Sequence, residues 1–159
     1  MKNKIRNRVI NLIGIYQIIA GLIGLSLIFK EHFLFILQHL LTFTLIFGLF
    51  TFSVISGIYL LKRQNFSKGI NLSLINQGLQ LMQFEVLGNG LYYVAGFYLA
   101  LGFSDTPHFH LDVSYYFFRS ACYISFFVDS NEITLTLNFV ALSILVALCY
   151  FNNQLRNDK

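Results

Sequence analysis

Long stretches without a charged residue constrain the fold of this chain more than any other feature. Residues 9–29 carry no charge, and the uncharged stretch over 33–61 is longer still. A helix of about 20 apolar residues crosses the hydrocarbon core of a bilayer, which is about 30 Å thick. Only 11% of the residues are charged, whereas soluble chains contain about 25%. The sequence therefore predicts an integral membrane protein with a single membrane domain over residues 1–159.

The uncharged stretches predict four membrane-spanning helices. The predicted spans lie at about residues 9–29, 38–61, 70–88 and 133–151. Residues 91–103 are too few for a further crossing, so we expect the third helix to extend to 103 or this segment to lie at the interface. The predicted fold class is an all-α integral membrane bundle of four transmembrane helices, with a short β-rich or irregular outer element between helices 3 and 4.

The segment between the third and fourth spans, residues 104–132, is polar enough to lie outside the lipid. Apolar and polar residues alternate over 108–115, and this period of two predicts a β-strand. We expect residues 123–128 to form its hairpin partner. Six of the nine tyrosines lie within 91–128, and such a density of rings is typical of an interfacial belt or of a docking surface for a partner.

The basic residues lie mainly at the ends of the apolar stretches. Nine of the eleven are Lys2, Lys4, Arg6, Arg8, Lys62, Arg63, Lys68, Arg156 and Lys159. Basic residues flank membrane spans on the cytoplasmic side, so we expect both termini in the cytoplasm and the protein in a plasma (inner) membrane. This placement accounts for the net charge of +4 without a nucleic-acid partner. The expected partners are the lipid bilayer and either further copies of the chain or another membrane protein.

Polar side chains gather on one face of the predicted third span. At 100° per residue this face carries Asn76, Gln77, Gln80 and Gln83. Amides in such a position form hydrogen bonds between helices or line a polar path. Glu85 is the ionisable residue of this span and lies near Asn89, apart from the amide face. It is either a proton or cation site or a hydrogen-bonded carboxyl group near the outer boundary.

Small residues form a second face, on the first predicted span. Gly14, Gln17, Gly21 and Gly24 lie within a narrow arc of a helix. Because small residues let two helix backbones approach closely, this face predicts helix packing. The partner helix belongs either to this chain or to a neighbouring copy.

A third group lies in the outer segment. On a strand, His108, His110 and Asp112 would point to one face and could hold zinc or another divalent metal. The alternative is a pair of surface histidines. The sequence contains no phosphate-binding glycine loop, catalytic triad or metalloprotease motif. We therefore expect no cofactor and favour a protein that is not an enzyme.

Taken together, these features favour a non-enzymatic membrane subunit that forms oligomers or binds a partner. Its glycine face would associate with another helix, and its aromatic outer element would be presented to the partner. The alternative is a small pore or transporter, in which the amide face of the third span and Glu85 line the path.

Overall fold

The computed structural model describes residues 2–31, 40–62, 66–105, 109–126, 128 and 133–157. The elements in chain order are α1 (Lys2–Glu31), α2 (Leu40–Leu61), α3 (Phe66–Leu81), β1 (Met82–Val86), β2 (Asn89–Ser104), β3 (His110–Ser125), β4 (Ile133–Asn138) and α4 (Phe139–Asn157). The fold is therefore mixed α/β, with a four-stranded antiparallel sheet. The prediction of an all-α bundle of four transmembrane helices is wrong.

The third predicted span is where the sequence interpretation first departs from the structure. Helix α3 ends at Leu81, and the chain continues as β1 and β2, so residues 91–103 belong to a strand and do not extend a helix. An apolar run has no period that separates a buried strand from a helix. In this run, aromatic residues and glycines are frequent, and aromatic residues favour the pleated, half-buried surface of a sheet.

The fourth predicted span is divided in the same way, between β4 and α4. Asn138 ends the strand, and its side-chain Oδ1 accepts hydrogen bonds from the backbone N–H groups of Val140 and Ala141. This is the N-cap of α4, because it satisfies backbone donors that the first turn of a helix leaves unpaired. The predicted hairpin within the outer segment is also wrong, since residues 110–125 form one strand that pairs with β2 along its length.

Within the described ranges, two helical segments are long and apolar enough to cross a membrane, Ile5–Ile28 and Leu40–Leu61. The core helix of a soluble protein and a signal sequence meet the same criterion. In these two helices, 39% and 28% of the most apolar window is buried inside the molecule. The two helices are therefore more exposed than covered.

An apolar cluster joins the four helices at one end of the molecule. It contains Ile10, Ile13, Leu60, Ile70 and Leu148. These residues lie in the first half of α1, near the start of α3, near the end of α2 and at the middle of α4. The sheet packs against all four helices, with β2 against α1, α3 and α4 and β3 against α1 and α2.

The sheet curls into a ring. Strand β1 pairs with β2 and with β4, and β4 also pairs with β2, so these three strands close on one another. Strand β3 pairs with β2 alone and forms an edge. Strand β2 bends at Gly96, which has φ +110°, a conformation that favours glycine. The register with β3 shifts between Gly96 and Tyr98.

Candidate functional site

The two faces of the sheet have opposite chemistry. On the outer face, Phe103 pairs with Leu111 and Leu135 across its two neighbouring strands, and all three side chains are exposed. On the inner face, Gln83 pairs with Thr136. Gln83 is only 2% exposed. At these pairs the curled sheet therefore encloses polar side chains and turns apolar ones outwards.

A cavity of about 290 Å³ opens on the inner face of the sheet. Its polar lining consists of Gln83, Glu85, Tyr92, Arg119, Thr134 and Thr136. Register pairing explains this grouping, because Gln83 lies beside Thr136 and Glu85 lies beside Thr134. We refer to this space as the inner cavity.

Arg119 is the cation of the inner cavity. Its guanidinium carbon lies 4.4 Å from the ring centre of Tyr116 and 5.4 Å from that of Tyr92. The attraction between a cation and a ring face fixes the position of the side chain. Among the residues that the structure describes, no carboxylate forms an ion pair with Arg119. Its charge therefore remains available to a ligand.

Gln83 is held from one side only. Its Oε1 accepts a hydrogen bond of 2.8 Å from the hydroxyl group of Tyr98. Desolvation by burial raises the pKa of Tyr98 above its ordinary value, so the hydroxyl group stays protonated and donates. The side-chain Nε2 of Gln83 is buried and has no hydrogen-bond partner within the described ranges. A buried donor without an acceptor is destabilising by about 1–3 kcal/mol.

A separate polar network joins the helices to the sheet. Gln17 of α1 accepts hydrogen bonds from Ser73 at its side-chain Oε1, 2.9 Å, and from Ser53 at its backbone oxygen, 3.1 Å. Asn76 donates to the Ser53 hydroxyl group at 3.3 Å. The Tyr93 hydroxyl group lies 3.2 Å from the Asn76 Oδ1. These side chains are almost completely buried, so they fix how α1, α2, α3 and β2 pack together.

Two side chains cover an edge of β2. Residues 92–99 pair with β3 alone, so the other edge of β2 has no strand partner there. The Gln80 Oε1 accepts a 3.0 Å hydrogen bond from the Ala95 N–H. The Tyr16 hydroxyl group donates to the Ala95 oxygen at 3.1 Å and accepts from the Phe97 N–H at 3.0 Å. Helices α1 and α3 thus take the place of a missing strand.

The structure separates the predicted polar residues into two groups. Gln83 and Glu85 lie on β1 and line the inner cavity, whereas Gln77 and Gln80 lie on α3 and do not. Gln77 is buried, and its Nε2 has no partner within the described part of the chain. Asn89 lies at the turn between β1 and β2, where its Nδ2 donates to the Leu87 oxygen. Asn76, Gln77 and Gln80 are all buried on α3, and Gln83 is not part of this helical face, because it lies on β1.

The predicted glycine face of α1 packs against α2 of the same chain. Its members Gly14, Gln17, Gly21 and Gly24 are all buried. A Cβ atom on Gly21 would lie 2.8 Å from the backbone oxygen of Phe50, and one on Gly57 would lie 2.5 Å from that of Gly14. The helix backbones approach too closely for a larger residue. This face is therefore occupied within the chain.

The predicted metal ligands lie at the exposed start of β3. His110 and Asp112 are exposed, and the Asp112 Oδ2 accepts a 2.7 Å hydrogen bond from the Ser114 hydroxyl group. His108 lies outside the described residues. Within those residues, no group of three or more His, Cys, Asp or Glu side chains is placed to hold a metal ion.

Sequence reasoning missed most of the inner cavity. Arg119 lies within the segment 104–132 that the sequence predicts to be outside the lipid, and the sequence predicts no role for it or for Tyr92, Thr134 or Thr136. The available signal was the alternation of threonine with apolar residues over Ile133–Asn138, which is typical of a strand with one polar face.

Comparison with protein-family models, curated proteins and solved structures finds no match. The function is therefore inferred from the geometry of the chain itself.

Proposed function

We propose that the protein is a non-enzymatic membrane subunit, which contacts lipid through its apolar exterior and assembles with a further protein chain through the open edge of β3. The observation that carries the proposal is the reversed polarity of the molecule. Leu12, Leu41 and Phe117 are 66%, 68% and 86% exposed, whereas Gln17 and Asn76 are 1% and 0% exposed. A soluble protein rarely exposes apolar patches of this extent.

Many of the exposed apolar side chains lie on the two longest apolar helices, α1 and α2. Ile15, Ile19 and Leu22 are exposed on α1, and Ile55 and Ile58 are exposed on α2. In water, each exposed apolar side chain loses the stabilisation of about 25 cal/mol per Å² that burial provides. Lipid tails remove this penalty.

The edge of β3 is the feature that requires a partner. Unpaired backbone N–H and C=O groups are costly in lipid, by several kcal/mol for each group. Strand β3 has sixteen residues, and within the described residues its outer edge pairs with no strand. A second copy of the chain is the simplest partner, because a two-fold axis would bring the same edge of both copies together as antiparallel strands.

The backbone geometry shows which residues of β3 face this edge. The N–H groups of Ala95 and Phe97 bond to side chains on the side of β2 away from β3. Since this direction alternates along a strand, Leu99 also points away from β3. Leu99 pairs with Tyr115. In such a pair both residues direct their backbone groups outwards, so the Tyr115 N–H points to the open edge.

A proline substitution at Tyr115 tests the proposal. Proline removes an N–H group but is tolerated where that group faces away from the sheet. The protein would be reconstituted in lipid nanodiscs, and its copy number would be counted by single-molecule photobleaching. We expect paired chains for the unmodified protein and for Tyr115→Ala, and single chains for Tyr115→Pro.

Two results would contradict this function. One is a protein that leaves the membrane fraction on carbonate washing. The other is equal pairing in Tyr115→Pro and Tyr115→Ala. Ser114→Pro is the matched control for folding, because its N–H lies on the inner side of the ladder and its loss should disrupt the β2–β3 pair itself.

A small pore or transporter is the second candidate, and the inner cavity is the observation in its favour. Gln83 and Glu85 both line that cavity, so one acidic and one amide side chain face the same space. Proteoliposomes with an encapsulated pH-sensitive dye would test it. The pore hypothesis requires a proton flux that falls in Glu85→Gln, and a flux unchanged by this substitution would exclude it.

A further inference from the structure

We propose that the inner cavity binds a small zwitterion, a molecule that carries one carboxylate group and one ammonium group. This site is independent of lipid contact and of pairing through β3. The carboxylate binds Arg119 and Gln83, and the ammonium group binds Glu85.

Arg119 supplies hydrogen-bond donors to the inner cavity. Arg119 has five N–H donors in a planar fork, a geometry that suits a carboxylate. Tyr116 and Tyr92 hold the guanidinium group by its contacts with their rings. Within the described chain, no carboxylate forms an ion pair with it, so the fork is complete only with a ligand.

The side-chain amide of Gln83 supplies a second, buried donor. The Tyr98 hydroxyl group occupies the Oε1 of Gln83, and the Nε2 is left buried without a partner in the described residues. Gln83 lines the inner cavity. An acceptor oxygen in the cavity would satisfy this donor and remove the penalty of an unpaired buried group. Two donor side chains therefore require the same kind of acceptor.

Glu85 places a negative charge in the same cavity. Glu85 is half-buried and also lines the cavity. A ligand with a carboxylate alone would be repelled by Glu85, and an amine alone would be repelled by Arg119. A zwitterion places a charge of the right sign against each. The hydroxyl groups of Thr134 and Thr136 line the wall on the same strand and can bond to either group.

The size of the cavity limits the ligand to a small molecule. Its volume of about 290 Å³ lies near the lower end of the range for ligand sites, which is about 300–1,000 Å³. An amino acid with a short side chain or a short ω-amino acid fits this space. The rings of Tyr92 and Tyr123 supply apolar walls for its methylene groups.

Isothermal titration calorimetry of the full chain in nanodiscs tests the site with 4-aminobutanoate, butanoate and butylamine. These probes share a carbon skeleton and differ in their charges. We expect 4-aminobutanoate to bind at least tenfold more tightly than either singly charged probe. Equal binding of 4-aminobutanoate and butanoate, or no binding of any of the three, would overturn the proposal.

Substitutions of Arg119 and Glu85 test which residue binds each charged group of the ligand. Arg119→Gln should weaken 4-aminobutanoate by at least tenfold, and Arg119→Lys should recover part of the affinity. Glu85→Gln should weaken 4-aminobutanoate but tighten butanoate by at least fivefold, because the repulsion is removed. A merely structural role for Glu85 would weaken both probes, and this result would contradict the assignment.

Lys68→Gln is the matched control, since it also removes one positive charge that lies over a tyrosine ring but is on α3, outside the cavity. It should leave all affinities unchanged. Thermal unfolding of each variant separates a loss of binding from a loss of folding. Binding to the Tyr115→Pro chain should equal that of the unmodified protein, which separates this site from the pairing of β3.

Discussion

The edge of β2 and the edge of β3 both carry backbone groups without a strand partner, but they differ in how these groups are covered. Both strands have sixteen residues, and both have backbone groups that no strand of the described residues pairs. Along 92–99 of β2, Gln80 and Tyr16 bond to these groups. The described residues contain no comparable cover for β3. Helices α1 and α3 therefore cover the edge of β2, whereas the edge of β3 is the one through which we propose that the chain pairs with a partner.

The largest effect is expected where the β2 edge bends. A side chain at Gly96 would collide with the hydroxyl group and ring of Tyr16, and the φ of +110° is strained for any residue except glycine. Gly96→Val combines this strain with the loss of the Tyr16 hydrogen bonds. We expect the free energy of unfolding to fall by about 3 kcal/mol or more, as measured by thermal unfolding in detergent.

Gly102→Ala is the control in the same strand. A Cβ atom there would lie 3.3 Å from the Thr136 hydroxyl oxygen, and the backbone of Gly102 is not in the left-handed region. The loss should be less than half of that for Gly96→Val. Equal losses would show that the bend at Gly96 plays no special role.

Local pattern predicted the helices α1 and α2 and a strand over 108–115, of which residues 110–115 lie in β3, but it did not predict the sheet. Residues 9–29 and 38–61 were expected to be helical, and they lie within or close to α1 and α2. Strand β4 pairs with β1 and with β2, although the outer segment separates them in the chain. No local period indicates such a pairing. An uncharged stretch that contains both a helix and a strand has the same hydropathy as one long helix.

The second largest loss of stability is expected when the Tyr16 hydroxyl group, which covers the edge of β2, is removed. Tyr16→Phe removes the hydroxyl group that bonds to the Ala95 oxygen and the Phe97 N–H, but it keeps the ring, which stacks on Phe97 at 5.8 Å. Two backbone groups lose their partner, and we expect a loss of about 2 kcal/mol in the free energy of unfolding. Denaturant titration in detergent would measure it.

Tyr150→Phe is the control for Tyr16→Phe. Its hydroxyl group accepts a hydrogen bond from Gln154 on an exposed face of α4, and loss of an exposed bond should change stability by less than about 0.5 kcal/mol. If both substitutions had the same effect, the cover of β2 by Tyr16 would contribute nothing to stability.

The third effect is smaller, because one backbone group is involved. Gln80→Leu leaves the Ala95 N–H without its acceptor but also removes a buried Nε2 that has no partner in the described chain. The two changes partly offset each other, and we expect a net loss of about 1 kcal/mol. Ile75→Leu, at an exposed position of the same helix, should have no measurable effect. A more stable Gln80→Leu chain would mean that the β2 edge does not need this cover.

Only part of the inner cavity could be predicted from the sequence. The sequence singled out Gln83 and Glu85 as polar residues in an apolar stretch, and both line the inner cavity. Arg119 could not be associated with them, because its place depends on the register of β3 against β2 and on the bend at Gly96. A rare polar residue can be recognised from composition, whereas its neighbours are set by long-range pairing.

The smallest effect on stability is expected at the open edge. Tyr115 is 79% exposed, and its side chain lies on the outer face of β3. Tyr115→Ala should therefore change the free energy of unfolding of the detergent-solubilised monomer by less than about 0.5 kcal/mol. Phe50→Ala is the buried contrast, since Phe50 is 2% exposed and packs edge-on against Tyr93. It should lose about 3–5 kcal/mol. A loss of more than 1 kcal/mol for Tyr115→Ala in the monomer would mean that the Tyr115 side chain is packed within the chain and does not belong to an exposed face.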